Sequence, residues 1–243
     1  ERYAKMTPWP GFWEAEKLDR RARQLQPDMI INNRLGSKVL GDFGTPECEV
    51  GKFDSVHPWE TCDILTDRAW GGRPNSHLRS LSELIRLLIR VVTGDGNLLL
   101  NVGPRPDGSI APEHYERLRQ MGRWLSRYGE AIYQTRGGPS VNGPWGGFTY
   151  RENILYVHII DWQNDEVTVP LHGGDIKRIT CITTESGRYR VEDDKLYLWV
   201  SESDRQMMDT IFKVEFADGV AERYRSVGQI QGNNMADSTL AKE

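Results

Sequence analysis

Leu78, Leu81, Leu84, Ile85, Leu88 and Val92 recur at helical spacing, so the segment 77–93 carries one apolar stripe on an otherwise polar surface. That spacing predicts an α-helix, with Ser80 and Glu83 placed as a capping box and Gly94-Asp95-Gly96 as its stop. The residues that follow, Asn97-Leu98-Leu99-Leu100-Asn101-Val102, are apolar without alternation, the pattern of a parallel strand covered on both faces. A polar helix is expected over 12–26, then a short buried strand over 28–33 built on Met29-Ile30-Ile31, and a further strand near 61–65. Another helix is expected over 112–133, where Pro112 suits a first turn and Leu118, Met121, Leu125 and Tyr128 share one stripe.

Beyond Gly137-Gly138-Pro139 the period changes from helical to alternating. FTYR, ILYVHII, EVTVP, IKRITCI, RYRV, KLYLWV and TIFKVEF read as short antiparallel strands, which predicts a β-sandwich. The fold class is therefore α/β plus all-β. Residues 1–137 alternate helix and strand as βα units do, 138–218 form the sandwich, and 219–243 make a tail without periodicity. Three strands in the first region are too few for a closed (β/α)8 barrel, so a partial, TIM-like barrel is expected.

Composition narrows the partners. With a net charge of -4, 38% hydrophobic and 27% charged residues, the chain has no basic footprint for nucleic acid. No window is long and apolar enough for a membrane helix. The first residues, ERYAKMTPWPGFWEAEKLDRR, are charged and aromatic, unlike a signal peptide, so a cytoplasmic location is favoured. The chain starts at Glu1 and not at Met, as a processed product or a piece of a longer chain would. Cys48, Cys62 and Cys181 make no C-x-x-C pair and no disulfide framework, so reduced thiols are expected.

Reactive groups of βα folds sit at the C-terminal ends of strands. Three clusters fall there: Asn32-Asn33-Arg34 with the loop GDFGTPE (41–47), Trp59-Glu60 with the loop that holds Trp70, and Asn101 with GPRPDG. Gly41, Gly44 and Pro46 place Glu47 on a constrained loop and not on a regular element. Glu47 and Glu60 with Arg34 and tryptophans suit a sugar site: paired carboxyl groups handle acetal chemistry, and indole rings pack on the apolar face of a pyranose. Taken singly each residue is more often structural, Arg34 as an ion-pair partner and Trp59 and Trp70 as packing. His57 and His77 flank this rim, but no two histidines have metal-ligand spacing, so neither a metal nor another cofactor is expected.

In order and spacing, LQPDMIINNRLG, GDFGTPE, WETCDILTDRAWGG, ELIRLLIRVVTGDGNLLLNVGPRPDGSI and the segment ending RWLSRYGEAIYQTR resemble the second half of the catalytic domain of glycoside hydrolase family 29 α-L-fucosidases. The likeness covers about residues 13–137, and the β-rich remainder is similar to that family's C-terminal sandwich. It implies a retaining glycosidase that removes, or transfers, α-linked L-fucose of glycans. It also implies Glu47 as the general acid/base with Glu60 as the competing candidate, and Arg34 and Trp70 as fucose-binding residues; Trp59, from its place at the strand end, is expected to contact the substrate with them. The family's nucleophile, an Asp in a W-x-D-G type motif, has no match here and by the family's spacing falls just before Glu1. A homo-oligomer or a missing N-terminal half is thus the expected partner, and a non-catalytic carbohydrate-binding remnant is the runner-up reading.

Overall fold

The computed structural model describes residues 14–34, 40–67, 70–71, 76–171 and 174–220. The first region contains helix α1 (Ala15–Leu25), strand β1 (Glu60–Ile64), helix α2 (Leu81–Thr93), strand β2 (Asn97–Asn101) and helix α3 (Pro112–Tyr128). The capping box predicted for α2 is present. Glu83 N–H donates to Ser80 Oγ at 3.2 Å, and Ser80 N–H donates to Glu83 Oε2 at 2.6 Å. Two of the orphan amides at the helix start are satisfied in this way.

Helix α2 is buried on two sides. Leu87 and Val91 pack with Trp59 and Leu98 under the parallel strands. Leu84, Ile85 and Ile89 pack with Met121, Trp124 and Tyr128 of α3 and with Tyr156, Ile160 and Ile211 of the β-rich half. Each such side chain contributes about 1.5–3 kcal/mol by leaving water. The helix is therefore the joint between the two halves of the fold.

β1 and β2 run parallel, in register from Glu60 opposite Asn97 to Ile64 opposite Asn101. Parallel bridges Asn32–Phe43, Gly44–Trp59 and Glu47–Cys62 continue this arrangement backward along the chain. The strand expected over 28–33 is no more than a bridge: Asn33 N–H donates to Phe43 O, Asp42 N–H donates to Ile31 O, and Ile30 is 75% exposed. Nor is β2 covered on both faces as its sequence suggested. Leu98 and Leu100 face the helices, whereas Asn97 and Leu99 are exposed, because no described element lies over that face. The helix expected over 112–133 ends as α-helix at Tyr128 and tightens into a 3-10 turn over Gly129–Ala131.

A two-residue strand that the alternation did not announce, β3 (Arg136–Gly137), comes first, and the seven alternating segments all form strands: β4 (Gly146–Arg151), β5 (Ile154–Ile159), β6 (Glu166–Pro170), β7 (Ile176–Cys181), β8 (Arg188–Glu192), β9 (Lys195–Trp199) and β10 (Thr210–Phe216). They make an antiparallel five-stranded sheet, β3-β4-β5-β10-β7, and a three-stranded sheet, β6-β9-β8. Phe148, Leu155, Val157, Phe212 and Val214 of the first sheet face Val167, Val169, Leu196 and Leu198 of the second across one core. The expected tail lies, past residue 220, outside the described residues. No helix among the described residues is long and apolar enough to cross a membrane.

Polar groups also tie the halves together. Asp95 accepts from Arg136 and from Gly137 N–H, and Glu130 accepts from Lys213 at 2.7 Å and from the Tyr156 hydroxyl at 3.0 Å. Deeper, the Thr149 hydroxyl donates to Ala131 O at 2.7 Å and so must accept from His158 Nε2 at 3.0 Å. His158 Nδ1 and Asp209 Oδ2 then share one proton across 2.7 Å.

Candidate active site

Gly41 lets the backbone turn close against Asn32. Its φ is +100°, and a Cβ there would stand 2.6 Å from Asn32 O. Asp42 fixes the turn from the other side by accepting from Ile31 N–H at 2.8 Å and from Arg23 of α1 at 3.1 Å. These bonds, the Ile31 amide first, hold its carboxyl below the usual range. Arg34 and Glu47 are thereby carried on neighbouring parallel segments.

Arg34 Nη1 donates to Glu47 Oε2 at 2.6 Å, with both side chains 43% exposed. Its Nε donates to Thr45 Oγ1 at 2.8 Å and its Nη2 to Thr45 O at 3.2 Å, while the Thr45 hydroxyl donates to Asn33 Oδ1 at 2.9 Å. The guanidinium fork is thus aimed by Thr45 and Asn33, which the sequence placed in the same clusters without a role. Cys62 is bridged to Glu47 on the adjacent strand. Burial raises its thiol pKa most, against a lowering by Arg34.

Glu60 is half-buried at the start of β1, where its N–H donates to Gly44 O at 2.9 Å. Strand alternation puts its side chain on the face of Cys62, and both glutamates act on the Cys62 thiol. Its carboxyl group makes no hydrogen bond or ion pair among the described residues, whereas that of Glu47 is held by Arg34. Asp63 points to the other face and pairs with Arg79 at 3.1 Å, steadying the approach to α2.

The two tryptophans separate. Trp70 is 39% exposed, and its carbonyl accepts from Asn101 Nδ2 at 2.7 Å, which ties its loop to the C-terminal end of β2. Trp59, expected beside the sugar, is instead 6% exposed and donates from Nε1 to Gly94 O at 3.2 Å. A Cβ at Gly51 or Gly96 would come within 2.6 Å or 2.4 Å of its ring, so glycines enclose the indole. Its bulk is spent inside the fold, where it supports the strand that begins with Glu60. His57 pairs with Asp54 at 3.0 Å on the surface, and no group of three or more His, Cys, Asp or Glu suited to a metal occurs among the described residues.

Short parallel strands backed by helices, with an arginine and two carboxyl groups on neighbouring strand segments and two antiparallel sheets packed beside them, define a protein of the α/β plus β-sandwich class. The sequence model described as Alpha-L-fucosidase matches residues 8–130, just over half of the chain, and the chain belongs to that family. Among curated relatives, an α-L-fucosidase of Branchiostoma floridae is 33% identical over 148 residues, covering 56% of this chain and 32% of its own. The tissue α-L-fucosidase of Macaca fascicularis is 31% identical over 197 residues, covering 76% and 40%. Of solved structures, α-L-fucosidase isoenzyme 1 from Paenibacillus thiaminolyticus superposes with a TM-score of 0.75 at 25% identity, covering 86% of this chain and 55% of that one. A family 29 α-L-fucosidase from Bacteroides thetaiotaomicron has a TM-score of 0.71 at 20% identity, covering 84% and 52%. The chain spans about a third of the length of the first curated relative and about half of these solved chains.

Proposed function

We propose that the chain carries the acid/base side of an α-L-fucosidase, acting on α-linked L-fucose of glycans or fucosides by hydrolysis or by transfer to another acceptor. The observation that carries the reading is the Arg34–Glu47 pair at 2.6 Å on adjacent parallel segments, backed by family membership. Glu47 protonates the glycosidic oxygen in the first step and takes a proton from water or an acceptor hydroxyl in the second. For that, the pair must open. An incoming sugar offers hydroxyl acceptors to Arg34, and the released carboxyl is then free to carry the proton. Trp70 receives the apolar edge of the sugar at its C6 methyl group. Glu60, whose carboxyl is uncommitted, is the alternative acid/base.

The parallel segments from Asn32 to Asn101 belong, in this reading, to part of a (β/α)8 barrel over 1–137, followed by the sandwich over 138–218 and a tail over 219–243. A retaining glycosidase needs a second carboxyl about 5–5.5 Å from the first. A further length of barrel, in the same polypeptide or from a second copy, supplies it. Two features support that partner: α1 buries none of its residues, and Leu18, Leu25, Ile30 and Leu99 are all exposed. The test is release of 4-nitrophenol from 4-nitrophenyl α-L-fucoside together with the solution mass. Release by the chain or its assembly is expected, and none from a folded sample refutes the activity.

A further inference from the structure

A cavity of about 480 Å³ opens between α2, α3 and the turn that leads into β10, and none of its lining residues belongs to the Glu47 site. Its volume falls in the range of small-molecule sites, about 300–1,000 Å³. Leu81, Met208 and the little ring surface left uncovered by Trp124 and Tyr128 make apolar walls. Gln120, Arg123 and Arg127 lie along one face of α3 and provide the polar groups.

Several of these groups have capacity to spare. The Gln120 amide makes no hydrogen bond among the described residues. Arg127 rests over the Tyr128 ring at 5.2 Å and has no carboxylate partner there, so its N–H donors remain on offer. Arg123 shares its charge with Glu116 at 2.7 Å. Asp209 lines the cavity at 1% exposure. Its Oδ2 meets His158, while its Oδ1 has no donor in hydrogen-bond geometry, an uncommon state for a buried acceptor. Burial raises the Asp209 carboxyl pKa most, against a lowering by His158, and Arg123 and Arg127 leave the lining net positive.

A free inorganic anion would use the arginines but leave the amide and the apolar walls idle. A neutral sugar would leave Arg127 idle, and an apolar ligand would leave Gln120 and Asp209 unmet. We infer that the cavity binds an acidic monosaccharide unit, carboxylated or sulfated, with its anion on Arg127 and its hydroxyls on Gln120 and Asp209. This site is separate from the Glu47 centre and needs no turnover there.

Titration calorimetry of the full chain with D-galacturonate, D-galactose 6-sulfate and D-galactose tests it on one sugar scaffold. At least one acidic sugar binds, and galactose binds at least about tenfold more weakly, as loss of a charge-assisted hydrogen bond implies. Which acid binds identifies carboxylate or sulfate. Arg127→Gln, at an exposed position, erases most of the preference, and Gln120→Leu weakens all three sugars. Glu47→Gln leaves these affinities unchanged, so this result and the fate of the glycosidase reading are distinguishable. Equal binding of galactose and both acids, no binding of either acid, or an Arg127→Gln protein that keeps its preference overturns the proposal.

Discussion

Gly96→Ala puts a methyl group where the structure has an indole. The built Cβ lies 2.4 Å from Trp59 Cζ2 and 2.5 Å from Cε2 and Cη2, more than 1 Å inside ordinary carbon contact. No easy relief exists, since Gly51 encloses the opposite side and Nε1 is bonded to Gly94 O. Overpacking of this kind costs about 1–3 kcal/mol, a sizeable part of the roughly 5–15 kcal/mol that holds a typical domain together. Trp59→Phe removes the benzo edge that the new methyl meets, so the double variant is less destabilised than the sum of the singles. Gly122→Ala is the control: it lies on α3 with nothing within 4 Å of the added Cβ, and a gain of about 0.5–1 kcal/mol is expected. Guanidinium unfolding followed by circular dichroism measures the four variants and the parent. Equal stabilities of Gly96→Ala and Gly122→Ala, or strict additivity with Trp59→Phe, would refute the enclosure of Trp59.

Three other perturbations address the joint and the site. Ser80→Ala should cost about 1 kcal/mol. The Glu83 carboxyl is held below its usual range by Ser80, so this folded-state pKa is depressed. The stability it lends is therefore present above the ordinary glutamate range near pH 4.3 and lost as pH falls through the lowered value, and melting of Glu83→Ala and the parent should converge in acid. Thr149→Val leaves Ala131 O and His158 Nε2 without their partner in the interior. A cost of about 1–3 kcal/mol for each stranded group is expected in urea unfolding, and a neutral result rejects the assigned network. Thr45→Val removes the acceptor of Arg34 Nε and the donor to Asn33 while keeping the shape. About a tenfold loss of kcat/KM on an aryl fucoside is expected, whereas an unchanged value excludes Thr45 as the residue that aims Arg34.

The alternating segments between residues 146 and 216 were legible because side-chain period is a local property, and each became a strand at the expected place. The same holds for α2, whose cap and stripe are written within a few residues. What neighbours do was not legible. Ile30 and Leu99 read as buried strand residues, yet both are exposed because no described element covers them. Trp59 read as a rim residue because it precedes Glu60, and only the approach of Gly51 and of Gly94 and Gly96, the last two distant in sequence, shows it to be core. At the rim, motif residues Arg34 and Glu47 meet directly. Thr45 and Asn33, which orient the arginine, lie inside those motifs, but their bonds to it depend on the two segments meeting in space.

The most direct measurement compares 4-nitrophenyl α-L-fucoside hydrolysis by the parent protein, Glu47→Gln and Glu60→Gln. Loss of the general acid/base should lower the rate about 10²–10⁴-fold in Glu47→Gln, with Glu60→Gln close to the parent. A Glu47→Gln protein that keeps the parent rate, with or without loss in Glu60→Gln, would contradict the assignment of Glu47.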